Sequence, residues 1–127
     1  MKRLIVTVTA LACFLAACAH GEENLACVIH IYTAEKTVLD ETSVSFADGD
    51  TVSDVLKKTA REKKIQMELT GVGATAYVRG IDNTYEFDMG PGSGWIYYVN
   101  DEYVDKSCGQ YRVGDGDVIR WEYITGE

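Results

Sequence analysis

The sequence predicts an α+β fold in which a mixed sheet of five or more short strands carries one helix on one face. Three observations lead to this fold class. Apolar and polar residues alternate over several short segments, a pattern typical of half-buried strands. Glycine, asparagine and aspartate separate these segments, as in turns. Only the segment that begins at Thr51 has apolar residues at convincing helical spacing.

The first residues of the chain have the features of a secretory leader. Met1-Lys2-Arg3 is a short basic start, and the apolar run Leu4–Phe14 is too short to remain in a bilayer as a spanning helix. The run ends in Leu15-Ala16-Ala17-Cys18, which resembles a bacterial lipobox, where the cysteine thiol accepts a lipid before cleavage. We therefore expect an extracytoplasmic protein that is anchored to the cell membrane through a lipid on Cys18.

This processing divides the chain into three parts. Residues 1–17 are the expected signal peptide, residues 18–26 a lipidated tether, and residues 27–127 a single domain. The alternative is an ordinary leader that is cut near Ala17 or Ala19 without lipidation.

The charge of the chain argues against some classes of partner. The formal net charge of −8 becomes −10 when residues 1–17 are removed, because Lys2 and Arg3 leave with them. An acidic surface repels nucleic-acid phosphates and anionic lipid head groups. We therefore expect no nucleic-acid partner, and a membrane attachment that depends on the lipid.

Two cysteines remain after processing. Cys13 leaves with the signal peptide and Cys18 carries the lipid, so Cys27 and Cys108 form a pair in an oxidising compartment. We expect a disulfide between them, and two buried free thiols are the alternative. Two cysteines alone cannot supply a tetrahedral zinc site, and we expect no metal.

A strand pair and a helix come first in the domain. Cys27–Thr33 alternates in the manner of a strand, residues 34–41 interrupt the pattern, and Ser43–Phe46 forms a second strand. The helix follows, with Thr51 as its N-cap and Asp54 at the third position.

Further strands occupy the rest of the chain. One is expected around Ala76–Ile81, and a tight turn at Asn100-Asp101 follows the aromatic segment described below. In the last strand Ile119, Trp121 and Tyr123 share the face that should meet the helix. A strand pair, a helix and then more strands is the order of elements in the β-grasp fold.

No catalytic constellation is present in the sequence. The histidines that remain, His20 and His30, accompany no Ser-His-Asp order and no nucleophile elbow. Asp115 and Asp117 could hold a cation, but turn-forming residues of a hairpin explain them better. We therefore expect no enzymatic activity and no catalytic cofactor.

A glycine-rich loop, Gly90–Gly94, leads directly into the aromatic segment Trp95–Asn100. The loop lacks the lysine and the following helix of a phosphate-binding loop, so we interpret it as a shaped connection. Alternation places Trp95 and Tyr97 on one face of the strand and Tyr98 on the other. Since a single helix covers only one face of a sheet, we expect some of these rings to stay exposed and to line a ligand surface.

Three segments of the sequence resemble one known family. They are Thr75-Ala76-Tyr77-Val78 with Gly80-Ile81, then Gly94–Asn100, and finally Gln110–Tyr123. Together they are similar to the transcobalamin-like C-terminal domain, and the resemblance covers most of Cys27–Glu127.

The resemblance implies a fold and a class of ligand. Bacterial members of this family are commonly surface lipoproteins. In the animal vitamin B12 carriers, the similar domain is a β-grasp-like unit that closes over one face of cobalamin with its aromatic strand and the loop after it. With the glycine loop included, the candidate ligand-binding residues are Tyr77, Ser93, Trp95, Tyr97, Tyr98, Tyr103 and Val104.

Two classes of function follow. The first is a lipid-anchored binding protein that captures a small ligand with a hydrophobic face, such as a corrinoid or cobalamin, and passes it to a membrane importer. The second is an interaction module whose exposed sheet face or edge meets another protein or a surface glycan. A concave aromatic surface favours the first, and a flat aromatic face or a free strand edge favours the second.

Overall fold

The computed structural model describes residues 24–126. In chain order the elements are β1 (Leu25–Tyr32), β2 (Thr37–Phe46), helix α1 (Val52–Lys63), β3 (Met67–Thr70), a short 3₁₀ helix (Gly73–Thr75), β4 (Tyr77–Ile81), β5 (Thr84–Tyr85), β6 (Gly94–Val99), β7 (Glu102–Tyr103) and β8 (Val118–Ile124). The predicted α+β class is confirmed.

The strands form two sheets rather than one. The larger sheet has the order β2-β1-β8-β6-β7, in which β1 and β8 are parallel and all other neighbours are antiparallel. The smaller sheet is antiparallel and has the order β3-β4-β5. The sequence therefore predicts the strand content and the mixed sheet, but not the division into two sheets.

The first hairpin is longer than the sequence predicts. Strand β2 begins at Thr37 rather than Ser43, and its ladder with β1 contains a bulge near Glu41, whose φ is 32°. The backbone N–H of Glu41 donates to Nδ1 of His30 at 3.1 Å. A bulge changes which face each following side chain occupies, so the polar and apolar alternation is interrupted although the pairing continues.

Helix α1 begins as the sequence predicts. The Thr51 hydroxyl accepts a hydrogen bond from the Asp54 N–H, and the Asp54 carboxylate accepts one from the Thr51 N–H at 2.9 Å. This capping box satisfies two backbone donors that a helix start leaves without partners. The helix ends at Lys64, which has a left-handed conformation with φ 59°.

One hydrophobic core joins the helix and both sheets. The helix contributes Val52, Val55 and Leu56, which are all buried, and the smaller sheet contributes Val78 and Ile81. The larger sheet buries alternate residues of its central strands. These are Cys27, Ile29 and Ile31 of β1, Ile119, Trp121 and Tyr123 of β8, and Trp95, Tyr97 and Val99 of β6. The predicted core face of the last strand is therefore confirmed.

The turns that connect the later strands match their sequences. Asn100 and Asp101, which join β6 to β7, have φ values of 53° and 69°. A two-residue hairpin turn of type I′ requires positive φ at both of these positions, and asparagine and aspartate tolerate it well. The tight turn predicted at Asn100-Asp101 is confirmed.

The structure corrects the prediction of a disulfide. Cys27 and Cys108 are both free thiols, and both are buried in the core. Cys27 lies on the core face of β1, whereas Sγ of Cys108 lies 3.9 Å from the Ala76 carbonyl oxygen. Burial raises the pKa of each thiol to about 11, so both stay protonated at neutral pH. The two cysteines therefore act as small apolar core residues.

The predicted signal peptide and the lipidation site at Cys18 lie outside the described residues. Among the helices of residues 24–126, none is long and apolar enough to cross a membrane.

Candidate ligand-binding cleft

A cleft with a volume of about 460 Å³ opens beside strand β6. Its walls come from the start of β4, the β5–β6 connection, the first half of β6 and the chain that follows β7. This volume lies within the range of roughly 300–1,000 Å³ that is typical of small-molecule sites. Six of the seven ligand-binding residues proposed from the sequence line it, namely Tyr77, Ser93, Trp95, Tyr97, Tyr103 and Val104.

Three exposed aromatic side chains line the cleft, and we call them the aromatic rim. Tyr77 is 47% exposed, Phe87 is 65% exposed and Tyr103 is 55% exposed. Exposed rings that are grouped around one cleft are typical of a surface that binds an apolar partner. Because the three rings come from β4, the β5–β6 connection and β7, the fold brings them together from distant parts of the chain.

Three buried aromatic side chains also line the cleft, and we call them the cleft floor. Trp95, Tyr97 and Trp121 are each at most 6% exposed. Trp95 Nε1 donates to the Thr84 carbonyl oxygen at 2.8 Å, and the Tyr97 hydroxyl donates to the Lys106 carbonyl oxygen at 2.9 Å. These bonds attach the two connections that form the walls of the cleft to the core.

The residues of the cleft floor differ in whether their polar groups have hydrogen-bond partners. Burial raises the pKa of the Tyr97 hydroxyl, which has a protein acceptor. The indole Nε1 of Trp121 is buried and has no hydrogen-bond partner among the described residues. A buried donor without a partner is uncommon in native proteins and is often found at functional sites.

One wall of the cleft carries a charged network. The Tyr77 hydroxyl donates to Oε1 of Glu86 at 2.7 Å, and Arg79 Nε donates to Oε2 of the same carboxylate at 3.2 Å. The hydrogen bond to Glu86 raises the pKa of Tyr77 to about 12. Tyr77 therefore keeps its proton and presents its ring to the cleft in a fixed position.

The chain after β7 forms the opposite wall. The Val104 N–H donates to the Tyr97 carbonyl oxygen at 3.2 Å, and the Ser107 hydroxyl donates to the Ala76 carbonyl oxygen at 2.7 Å. These bonds tie the segment to both sheets. The wall carries both signs of charge, because Asp105 and Lys106 also line the cleft.

Ser93 closes the glycine loop with hydrogen bonds of its side chain. The Ser93 hydroxyl donates to the Gly90 carbonyl oxygen at 2.7 Å and accepts from the Met89 N–H at 3.2 Å. It also contacts the Tyr123 hydroxyl at 3.1 Å. Ser93 lines the cleft but is only 3% exposed. Its hydroxyl already makes all its hydrogen bonds within the protein.

Tyr98 does not lie with the other proposed residues. It is on the outer face of the larger sheet, where the Arg120 guanidinium lies 4.2 Å from the centre of its ring. Of the seven residues proposed from the sequence, Tyr98 is therefore the one that does not line the cleft, because alternation along β6 places it on the face opposite Trp95 and Tyr97. The ring of Tyr98 makes an edge-to-face contact with the ring of Tyr103, and the two ring centres are 6.0 Å apart. Tyr98 is connected to the cleft through this contact.

The structure adds three residues to the site that the sequence did not indicate, namely Glu86, Phe87 and Trp121. The sequence around Phe87 gives a weak indication of a binding role. An aromatic residue between two acids and next to a glycine-rich loop is typical of neither a strand nor a core. The sequence around Trp121 gives no such indication, because its alternation in β8 is that of an ordinary core residue.

Comparison with known proteins identifies the family. The family model of a domain of unknown function, DUF4430, matches residues 49–125. The chain belongs to this family. The matched region includes the helix, the smaller sheet and every residue of the cleft named above. No curated protein matches the DUF4430 chain.

Two solved structures are similar to this DUF4430 chain in fold. A candidate metal binding protein from Ruminococcus gnavus ATCC 29149 matches with a TM-score of 0.57 and 19% identity, over 81% of this chain and 99% of the other. Haptocorrin in complex with Cbi matches with a TM-score of 0.59 and 16% identity, over 80% of this chain and 25% of the other. The DUF4430 chain thus corresponds to a quarter of the haptocorrin chain. Within residues 24–126, no group of three or more His, Cys, Asp or Glu side chains is arranged to hold a metal ion.

Proposed function

We propose that this DUF4430 protein binds a small ligand that has a flat hydrophobic face, and that the ligand is a corrinoid. The observation that carries this proposal is the cleft of about 460 Å³ with the exposed rings of Tyr77, Phe87 and Tyr103 at its rim. Rigid aromatic rings bury a large area at a low entropic cost, and a few fixed polar groups beside them can orient a ligand.

The fold supports a corrinoid among flat ligands. The parallel pair of first and last strands, with a helix after the first hairpin, agrees with a β-grasp arrangement and with a transcobalamin-like C-terminal domain. The haptocorrin structure that resembles this chain contains Cbi. A cleft of this size encloses only part of such a ligand, so the domain would cover one face of it and leave the other accessible.

The location that we propose follows from the leader sequence. A lipid on Cys18 would hold the domain at the outer side of the cell membrane, and the six residues from 19 to 24 would keep it close to that surface. A binding protein in this position would deliver its ligand to a membrane importer rather than transform it.

Titration with cobinamide tests the proposal directly. Residues 24–127 contain the hydrophobic core that the structure describes, so this segment serves as the protein for titration. The only two tryptophans of the chain, Trp95 and Trp121, both line the cleft, so a bound corrinoid should quench most of the tryptophan emission. Two or three stacked rings would give a dissociation constant on the order of 1 μM, which corresponds to about 8 kcal/mol.

The matched variants are Tyr77→Ala in the rim, at a residue that does not belong to the larger sheet, and Tyr32→Ala on the outer face of the larger sheet. Tyr77→Ala should weaken binding by about tenfold, whereas Tyr32→Ala should leave it unchanged. Absence of binding at 100-fold excess over the expected constant, or equal losses in both variants, would reject the corrinoid proposal.

The second candidate is an interaction module that uses the outer face of the larger sheet. The observation that favours it is a row of adjacent side chains, Tyr98, Arg120 and His30, across three strands. Tyr103 of the rim pairs with Tyr98 and so borders both this face and the cleft. Tyrosine and arginine are common in the centres of protein interfaces. If cobinamide does not bind, this flat face becomes the better candidate.

A further inference from the structure

Phe87 has an unusual place in the cleft. It is the most exposed ring of the aromatic rim, and its backbone φ is 71°. Seven residues other than glycine have positive φ in the described chain, and Phe87 is the only apolar one. The others are Glu41, Lys64, Asp82, Asn83, Asn100 and Asp101, which are polar residues of turns, a bulge and a helix end. A bulky residue in this region is sterically unfavourable, so the surrounding structure has to impose the conformation.

The hydrogen bonds around Phe87 impose it. The Phe87 N–H donates to the Ser93 carbonyl oxygen at 3.0 Å, and the Phe87 carbonyl oxygen accepts from the Gly90 N–H at 3.1 Å. The next residue is held as well, because the Asp88 N–H donates to the Tyr85 carbonyl oxygen at 3.0 Å. Both backbone groups of Phe87 therefore have fixed partners within the loop.

Strand β5, from which this loop leads, is in turn attached to the core. The Tyr123 hydroxyl donates to the Tyr85 carbonyl oxygen at 2.7 Å, and Trp95 Nε1 donates to the Thr84 carbonyl oxygen at 2.8 Å. The side chain of Phe87 does not stabilise this arrangement, since about two thirds of it is exposed. A sterically costly position with little packing in return indicates a functional requirement rather than a structural one.

We propose that Phe87 is an affinity-determining residue of the cleft. Its ring forms a preorganised apolar contact for the flat face of a ligand, and the loop holds it there before the ligand arrives. This assignment rests on the proposed function in so far as the cleft binds a ligand, but it does not require the ligand to be a corrinoid. Preorganisation raises affinity because no ordering of the ring is needed on binding.

Three variants of residues 24–127 separate this role from a structural one. Phe87→Ala removes the ring and keeps an unfavourable backbone position, Phe87→Asn removes the ring and places there a residue that tolerates positive φ, and Phe87→Tyr keeps the ring. Val72→Ala, a change at an apolar residue that is 82% exposed and does not line the cleft, is the control for exposed apolar surface.

Binding is measured with two probes, cobinamide and Nile red, a flat neutral dye that fluoresces in apolar surroundings. For at least one probe, Phe87→Ala and Phe87→Asn should weaken binding by about tenfold, while Phe87→Tyr and Val72→Ala bind like the wild type. Phe87→Asn should also melt at a temperature at least as high as that of the wild type, with a gain of about 4 °C if most of the strain is relieved.

The outcomes distinguish the two proposals. Loss of Nile red binding in the ring-deleted variants, without cobinamide binding to the wild type, would support the role of Phe87 and reject the corrinoid. Cobinamide binding that is unchanged in Phe87→Ala and Phe87→Asn would support the corrinoid, and it would overturn the role of Phe87 if Nile red binding is unchanged or absent as well. That role is also overturned if neither probe binds the wild type, or if Phe87→Asn melts several degrees lower, which would make Phe87 a structural residue.

Discussion

The two faces of the larger sheet both carry aromatic residues, but they use the polar groups of those residues differently. On the inner face, Trp95 and Tyr123 donate to backbone carbonyl oxygens of β5, and Tyr97 donates to one in the segment after β7. On the outer face, side chains pair with one another. Arg120 bonds to Glu122 at 2.6 Å and to Asp101 at 2.7 Å.

The difference shows how this fold shapes a site with its core. Because the inner rings are fixed by packing, their hydroxyl and indole groups hold the loops in fixed positions. The same residues therefore determine both the stability of the domain and the shape of the cleft. Side-chain pairs on the outer face position no loop of the cleft, so changes there should affect neither property strongly.

Replacing Trp95 should have the largest effect. Trp95→Ala removes a buried ring and the bond to Thr84, and should lower the free energy of unfolding by about 3–5 kcal/mol. Tyr98→Ala, three residues further along β6 and on the outer face, should cost about 1 kcal/mol. Urea unfolding of both variants measures the difference. If Trp95→Ala does not fold, Trp95→Phe keeps most of the packing and should cost about 1–2 kcal/mol. Equal losses of unfolding free energy in Trp95→Ala and Tyr98→Ala would contradict the difference between the two faces.

The hydroxyl of Tyr97 should make stability depend on alkaline pH. Burial raises its pKa in the folded state, whereas the unfolded value stays near the ordinary value of about 10. The stabilisation is therefore complete below about pH 10 and is lost as the pH rises from there through the folded pKa, by up to roughly 1.4 kcal/mol per pH unit.

Tyr97→Phe provides the test of this pH dependence. The variant should lose about 1 kcal/mol at pH 7, because the bond to the Lys106 carbonyl oxygen is gone, and it should fall less steeply above pH 10. Urea unfolding at several pH values measures both effects. The other tyrosines titrate in both proteins, so they cancel in the difference. If the unfolding free energies of the wild type and Tyr97→Phe fall in parallel with pH, the hydroxyl of Tyr97 is not the source of the pH dependence.

The sequence predicts the scaffold well because the scaffold depends on local patterns. Thr51 and Asp54 have the spacing of a capping box, and the core face of β8 follows from strict alternation. The turn at Asn100-Asp101 follows from residues that tolerate positive φ. Each of these features is decided by residues a few positions apart.

The candidate site was less predictable because tertiary contacts create it. The resemblance to a known family, together with the glycine loop, indicated six residues that line the cleft, and it also included Tyr98, which lies on the outer face of β6. The exposure of Phe87 depends on a loop that is closed by Ser93 and by core aromatics, and no local pattern shows this. Cysteine counting likewise cannot show where two thiols point, and Cys27 and Cys108 are free.

Removing the central charge of the outer face should have a small effect. Arg120→Ala deletes two ion pairs and the contact with the Tyr98 ring, and should lower the free energy of unfolding by about 1 kcal/mol or less. The loss should shrink further in 0.5 M NaCl, because salt screens partly exposed charges. Ligand affinity should not change. A loss comparable with that of Trp95→Ala would show that the outer face also supports the core.

The smallest expected change in stability, with a clear titration signal, comes from the cleft wall. The carboxylate of Glu86 accepts the Tyr77 hydroxyl at 2.7 Å and raises the pKa of Tyr77 to about 12, since ionising the phenol would break this bond and place two negative charges together. In Glu86→Gln the charge is absent, so the pKa of Tyr77 should fall towards its ordinary value of about 10.

Glu68→Gln is the matched control, because Glu68 pairs with Arg79 but makes no hydrogen bond to Tyr77. Ultraviolet titration of the phenolate, with Tyr77→Phe to assign the signal, should show one tyrosine that shifts in Glu86→Gln and keeps its pKa in Glu68→Gln. An unchanged titration in Glu86→Gln would mean that the hydroxyl of Tyr77 is not held by Glu86 in solution, and that this ring of the rim is free to move.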